Sequence, residues 1–282
     1  MALYHAAGCG MEVVMSAVRR ALGVAVRLVL LGAFAWLAGA SGVRARAEEA
    51  PAVAAAASLR YTLDDIAKRF ETETGQGVRI TYGATGNLVH QIENGAPFQM
   101  LLAADDESVK RLADAGRTDG APIIFARGQL SIVALKGSPV TVDAELKGLK
   151  EALAGGKVVH FAIANPDVAP YGRAAREALQ KSGLWSAIEP RLVIGENVGQ
   201  AAQFASSGAA EAGLIAHSLA ISAELAPKIT VAVVPESWHE PIDYGMALLK
   251  GAGPTARAFS DFVRGIKGRQ VLESNGFSVP GQ

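Results

Sequence analysis

Two hydrophobic patterns alternate along most of the chain. Short runs of apolar residues indicate buried strands, whereas apolar residues that recur every three or four positions indicate amphipathic helices. The first such pair is a run of small apolar residues at 53–57, which ends at Ser58, and a helical pattern at 59–70 with Leu63 and Phe70 on its apolar face. The sequence therefore predicts a buried strand that leads into a helix, with Ser58 at the turn.

The same alternation continues to the end of the sequence. Further strands are predicted at residues 78–82, 99–103, 130–135, 158–164, 192–194, 212–216, 229–234 and 244–249. Further helices are predicted at residues 87–94, 107–115, 144–154, 170–182, 198–206, 255–265 and 268–275. This alternation predicts an α/β fold with mainly parallel sheets that helices cover on both faces. No flexible linker follows Ala47, so a two-lobe arrangement would need strands that cross between the lobes.

The first part of the chain has the pattern of a secretory signal. Three arginines precede the apolar run 28–38, and a small-x-small motif ends at Ala47. This order predicts a signal peptide at residues 1–47, cleaved near Ala47, and export of the remaining chain. An uncleaved membrane anchor stays an alternative, although the run is short for a membrane span. The pair Arg19-Arg20 leaves twin-arginine export open as well.

Removal of that segment changes the charge and leaves no cysteine. Of the 27 basic and 27 acidic residues of the 282-residue chain, residues 1–47 hold five and one, so the mature chain keeps 22 and 26. The resulting net charge of about −4 argues against nucleic-acid binding, which needs a basic surface. The single cysteine, Cys9, lies in the removed segment. The mature protein therefore has neither a disulfide nor a cysteine to carry a lipid.

Four predicted strand-to-helix turns carry the candidate chemistry. They are marked by Ser58, Thr85, Tyr171 and Val198, and none has a lysine or arginine at the turn itself. In open α/β sheets ligands bind beyond the carboxyl ends of the strands, where such turns gather. The beginning of a helix also offers unpaired N–H groups to an anion. Each turn alone is typical of an ordinary capped helix, but together they predict a site of neutral donors for a small anion.

Four passages give the chain a specific resemblance. They are AAASL at 55–59, QIENGAP at 91–97, EALQKSGLW at 177–185 and NGF at 275–277. In these passages the chain resembles the periplasmic molybdate-binding proteins of ABC importers, which are type II periplasmic binding proteins.

The resemblance implies a monomeric periplasmic receptor without a cofactor. It would bind molybdate, and also tungstate, between two α/β lobes joined by crossover strands, and deliver the anion to a membrane permease. The first lobe would comprise residues 48–126 and 245–282, and the second residues 127–244.

The resemblance also assigns roles to the four turn residues. Ser58 and Thr85 would donate hydroxyl protons to the anion, and Tyr171 and Val198 would donate backbone N–H groups. Molybdenum would thus be held only as its oxyanion. The chain departs from some relatives at one position, where a tyrosine near the anion is replaced by Ala216. Tyr171 is an alternative occupant of that space.

The chemistry of the turns favours an unprotonated oxyanion. Molybdate, tungstate and sulfate need donors only, whereas a phosphate receptor also needs an acceptor for the ligand's proton, and no carboxylate stands at the four turns. Two alternatives stay open: a receptor for sulfate or an organic anion, and a hydrolase that uses Ser58. The hydrolase lacks a G-x-S-x-G motif. The mature histidines lack zinc-site spacing, and we expect His217, beside Ala216, to point away from the anion.

Overall fold

The computed structural model describes residues 49–280. The predicted signal peptide, with its cleavage site near Ala47, lies outside this range. Within the described range no helix is both long enough and apolar enough to cross a membrane.

Strands in the described part of the chain form two five-stranded sheets. The first sheet has the spatial order β2 (Arg79–Gly83), β1 (Ala52–Ala56), β3 (Met100–Leu102), β10 (Ile242–Leu248) and β4 (Ile123–Gly128). The second has the order β7 (Leu192–Gly195), β6 (Phe161–Ala164), β8 (Ala212–Ala216), β5 (Leu130–Leu135) and β9 (Ile229–Val233). The predicted two-lobe α/β fold is therefore confirmed.

Helices follow most of the strands and flank both sheets. Their bounds are α1 Arg60–Thr74, α2 Thr85–Glu93, α3 Glu107–Asp114, α4 Lys147–Ala154, α5 Pro170–Lys181, α6 Trp185–Ile188, α7 Val198–Ser207, α8 His217–Ala220, α9 Pro254–Arg264 and α10 Ile266–Ser274. A 3₁₀ turn at Ala57–Leu59 joins β1 to α1. Two further 3₁₀ turns lie at Glu189–Arg191 and Glu236–Trp238.

Both sheets are mixed, with four of the five strands in each running in one direction and one strand opposed. In the first sheet β1 pairs in parallel with β2 and β3, but β10 is antiparallel to β3 and β4. In the second sheet β6 pairs in parallel with β7 and β8, but β5 is antiparallel to β8 and β9. Strands β5 and β10 are reached from the opposite sheet without an intervening α-helix. A helical crossover makes the strands that it joins parallel. Because β5 and β10 are reached without one, they can run antiparallel to their neighbours.

The chain passes between the sheets twice within residues 49–280. Gln129 alone separates β4 from β5, and residues 234–241 separate β9 from β10. Pairing in the first sheet continues to Gly128 and resumes at Ile242, which are partners. The first sheet thus includes residues 127–128 and 242–244, which the sequence assigned to the second lobe. The hydrophobic pattern does not mark where the pairing of two strands ends.

Strand β4 was missing from the predicted elements. Its side chains Ile123 and Ile124 are 36% and 37% exposed, and it pairs with β10 and, through Arg127, with Ser278. An edge strand has a partly solvated face, and here the apolar run is only four residues long, 123–126. Strand β1, by contrast, lies between two neighbours and has residues 53–56 almost fully buried.

Helix α1 is fixed by aromatic packing at its far end. The ring of Phe70 meets those of Phe259 and Phe262 edge to face, with centroids 5.3 and 5.5 Å apart. The helix ends at Gly75, whose φ of 70° is left-handed and suits glycine. These contacts hold the helix that follows Ser58 against α9, and so fix the turn at its beginning.

Candidate functional site

A small cleft brings together residues from both sides of the molecule. It is lined by Ala56, Ala57, Ser58, Gly83, Ala84, Thr85, Ala104, Ala169, Pro170, Tyr171 and Val198. The space inside it that is open to the centre of a water-sized sphere is about 10 Å³, which is about the room that one water needs. All four site residues named from the sequence lie here, and no charged side chain is among the described residues of the lining. The cleft suits a single small polar solute.

Beginnings of helices converge on this cleft. Helix α2 begins at Thr85 and α5 at Pro170, and neither has a side-chain cap on its N–H groups. In α7 the Asn197 side chain accepts from the N–H groups of Gly199 and Gln200, but not from that of Val198. Backbone donors with partial positive charge therefore surround the cleft.

The Thr85 hydroxyl is anchored at the edge of the cleft. Its side chain is buried, and its Oγ1 accepts a hydrogen bond from the backbone N–H of Ala104 at 3.1 Å. This bond uses a lone pair of the oxygen and not the hydroxyl proton.

Ser58 is joined to two tyrosines behind the cleft. Its Oγ lies 2.5 Å from the hydroxyl of Tyr244, which donates to the hydroxyl of Tyr171 at 3.0 Å. Burial raises the pKa of the Tyr171 phenol, and burial followed by the neighbouring Tyr171 raises the pKa of Tyr244. Both phenols therefore keep their protons at neutral pH, and the three residues form a buried row of hydroxyls.

Tyr244 is a residue that sequence reasoning missed. It was assigned only to a predicted strand, and nothing in its local pattern separates it from an ordinary strand aromatic. Tyr244 reaches Ser58 because β10 returns from the second sheet to the first. The two residues are 186 positions apart in the sequence. The side chain of Tyr171, the alternative occupant of the space left at Ala216, bonds through its hydroxyl to Tyr244.

Glycines allow the backbone to close around the site. A methyl group added at Gly172 would collide with the carbonyl oxygen of Ala164, and one added at Gly128 with the hydroxyl of Tyr171. Helix α5 can therefore begin directly against the end of β6 only because glycine follows Tyr171. The sequence signal for this approach was the Pro-Tyr-Gly triplet at the start of the helix.

Hydrogen bonds outside the cleft connect its two sides. They join Gly86 N–H to the Val168 carbonyl oxygen (2.9 Å), the Ser218 hydroxyl to the Ser58 carbonyl oxygen (2.8 Å), Arg173 to Asp105 (2.8 Å) and the Tyr61 hydroxyl to Glu224 (2.7 Å). Each bond pairs a residue next to the first sheet with one next to the second. The structure is therefore a closed arrangement, with the cleft covered from both sides.

His217 lies outside the cleft lining. Its Nδ1 is 2.9 Å from Ser131 Oγ, and its ring packs against Gly276. Burial lowers the pKa of His217 below its usual value near 6.5. The side chain is therefore neutral at pH 7, and the preceding residue, Ala216, is fully buried.

Anion affinity should be nearly independent of pH between about pH 6 and 8, where an ordinary histidine titrates. The hydroxyl and N–H donors do not titrate there, and His217, whose pKa burial lowers, lies outside the cleft lining. Titration calorimetry at several pH values should give dissociation constants within about twofold of one another. A tenfold gain on acidification that His217→Ala removes would contradict this neutral-donor arrangement.

Comparison with known proteins places the chain in a family. A family model of bacterial extracellular solute-binding proteins matches residues 51–278. The molybdate-binding protein ModA of Azotobacter vinelandii is 37% identical over 230 residues, which cover 80% of this chain and 89% of that protein. ModA of Escherichia coli is 32% identical over 232 residues, with coverages of 80% and 88%.

A solved structure gives the same answer. The periplasmic molybdate-binding protein of Azotobacter vinelandii aligns with a TM-score of 0.73 and 32% identity, over 82% of this chain and all of that one. The matched range contains both sheets and every residue of the cleft lining. The resemblance noted in the sequence is thus confirmed: the chain belongs to the family of bacterial extracellular solute-binding proteins that includes the ModA molybdate-binding proteins.

Proposed function

We propose that this protein captures molybdate, and also tungstate, in the cleft between its two sheets and delivers it to the membrane permease of an ABC importer. The supporting observation is the convergence of uncapped helix beginnings and two buried hydroxyls on a cleft whose described lining has no charged side chain. Ser58 and Thr85 supply hydroxyl donors, and Tyr171 and Val198 supply backbone N–H donors.

The donor set matches a dianion that carries no proton. The lining offers the hydroxyls of Ser58 and Thr85 and the N–H groups of the helix beginnings as donors, and no carboxylate lines the described cleft to accept a hydrogen bond. A protonated phosphate would place its own O–H against donors and lose a hydrogen bond there. The selectivity expected from this lining is therefore molybdate and tungstate over phosphate.

Neutral donors suffice for tight binding. A hydrogen bond to a charged group contributes roughly 1.5–3 kcal/mol. About six such bonds, less the cost of immobilising the ligand and the two lobes, reach the roughly −8 kcal/mol of a micromolar complex or better.

The same proposal implies where the protein acts, its oligomeric state and its partner. After cleavage near Ala47 the protein would be periplasmic and monomeric, with the anion as cargo and no resident cofactor. Within residues 49–280 there is no group of three or more His, Cys, Asp or Glu side chains that could hold a metal ion. Closing of the lobes on the anion would create the form that the permease recognises.

Titration calorimetry of the mature protein with molybdate, tungstate, sulfate and phosphate tests the proposal. We expect molybdate and tungstate to bind with dissociation constants at or below about 1 µM, sulfate at least about tenfold more weakly because it is smaller, and phosphate not measurably. Tighter binding of phosphate than of molybdate, or no binding of any of the four, would refute it.

Two other functions fit less well. A receptor for sulfate or an organic anion would use the same donors, and the titration separates it by the order of affinities. A hydrolase would need a base beside Ser58, but the side-chain partner of its hydroxyl is Tyr244, whose pKa is raised. Incubation with ester and phosphoester substrates should therefore give no turnover.

A further inference from the structure

Tyr244 lies behind the cleft and bonds to two residues of its lining, Ser58 and Tyr171. Its side chain is fully buried and is not part of the cleft lining. The ring is held edge to face by Phe125 and Phe277, with centroids 6.1 and 5.2 Å away. Its hydroxyl stands between two others, 2.5 Å from Ser58 Oγ and 3.0 Å from the Tyr171 hydroxyl.

The protons of these hydroxyls can be counted. Each hydroxyl carries one proton. Tyr244 donates its proton to Tyr171, so the bond between Tyr244 and Ser58 must be donated by Ser58. In this orientation Ser58 has no proton left for the cleft and turns lone pairs towards it. A dianion would be repelled by this arrangement.

Anion binding requires the opposite orientation. Ser58 must donate its only proton to the anion, so the bond to Tyr244 must then be donated by Tyr244. Tyr244 can supply this bond, since either oxygen of the Ser58–Tyr244 pair can donate, and its proton then leaves the bond to Tyr171. The change needs only rotation of the Ser58 and Tyr244 O–H bonds.

We propose that Tyr244 is a positioning residue for the anion: it makes Ser58 a donor through reversal of the Ser58–Tyr244 hydrogen bond, so that a row of bonds runs from Tyr244 through Ser58 to the anion. This inference rests on the proposed function. Hydrogen bonds that run in one direction strengthen one another in a buried site. The reversed row would therefore fix the Ser58 rotamer and polarise its O–H bond towards the bound oxyanion.

Tyr244→Phe tests the proposal, because it removes the hydroxyl and keeps the packed ring. We expect the affinity for molybdate to fall about five- to thirtyfold, although Tyr244 does not line the cleft. In a Ser58→Ala background the same change should alter the affinity less than about twofold, since there is then no serine hydroxyl to position. The matched control is Tyr82→Phe, which removes a hydroxyl bonded to Asp64 and the Arg60 carbonyl oxygen, away from the cleft.

The wild-type protein offers a readout that needs no variant. Reversal changes the hydrogen bonding of two buried tyrosines, so molybdate should shift the tyrosine band in the near-ultraviolet difference spectrum. Sulfate or phosphate, at a concentration at which neither binds the protein, should leave this band unchanged. An unchanged tyrosine band at saturating molybdate would overturn the reversal.

The outcomes separate this inference from the proposed function. Wild-type affinity in Tyr244→Phe, with molybdate bound, would overturn the positioning role and leave the function intact. An equal loss with and without the Ser58 hydroxyl would also overturn it, because Tyr244 would then act through packing or through Tyr171 and not through Ser58. If the wild-type protein bound none of the four oxyanions, the function and this inference would both be wrong.

Discussion

Replacing Val198 by proline should weaken molybdate binding by about 100-fold, which corresponds to about 2.7 kcal/mol. Val198 is the first residue of α7, and its N–H is the donor that we assign to the anion. Proline deletes this N–H, and its ring would occupy the space beside it. The lost bond is one to a charged acceptor, so the effect should exceed that of a neutral hydrogen bond.

The fold should tolerate this proline. The first helical position does not use its N–H within the helix, and proline is common there. Helix α5 already begins with Pro170. The preceding residue, Asn197, has φ −150° and ψ 172°, an extended conformation that a following proline permits. Thermal unfolding should therefore show a folded variant, and calorimetry should show the lost affinity.

Val198→Ala is the matched control for this experiment. It shortens the side chain but keeps the N–H, so we expect a change in affinity of no more than about threefold. If alanine and proline had equal effects, the side chain and not the backbone would be the group that matters, and the assigned role of Val198 would be wrong.

Ser58→Ala and Thr85→Ala should each weaken molybdate binding by roughly 1–3 kcal/mol, or about five- to 150-fold. Each removes one hydroxyl donor from a cleft with no charged side chain in its described lining, so no cation is left to compensate. Ser58→Ala also leaves the Tyr244 hydroxyl with Tyr171 as its remaining partner. We expect both variants to stay folded in chemical denaturation.

Ser131→Ala gives a control of the same chemistry. Ser131 is fully buried, but its hydroxyl meets His217 outside the cleft. Its removal should leave the affinity within about twofold of the wild-type value, whatever it does to stability. Wild-type affinity in both Ser58→Ala and Thr85→Ala would remove these hydroxyls from the site.

The four turns that line the cleft could be predicted from sequence because each is formed by residues that are neighbours in the chain. Ser58, Thr85, Tyr171 and Val198 each stand where a strand pattern gives way to a helix pattern, and parallel strands bring such turns to one edge. The four residues do line one cleft in the structure. That they contact an anion stays a proposal, since their presence in one cleft does not show what fills it.

What could not be predicted depends on contacts between distant parts of the chain. Tyr244 reaches Ser58 across 186 positions, and no local signal marks that meeting. The mixed sheets arise from two direct crossings between lobes, which hydrophobic periodicity does not distinguish from helical connections. Strand β4 was missed because an edge strand with exposed isoleucines lacks a buried run.

The one-residue connection at Gln129 affects the entropy that the protein loses when it captures its ligand. Rotation of one sheet against the other must be absorbed by a few torsion angles there and in residues 234–241. Gly128, at the end of β4, packs directly against the Tyr171 hydroxyl. Groups beside an axis of rotation move least, so Tyr171 should stay near its hydroxyl partners as the lobes open. Part of the binding geometry would then be preorganised before the anion arrives, which reduces the entropy lost on closing.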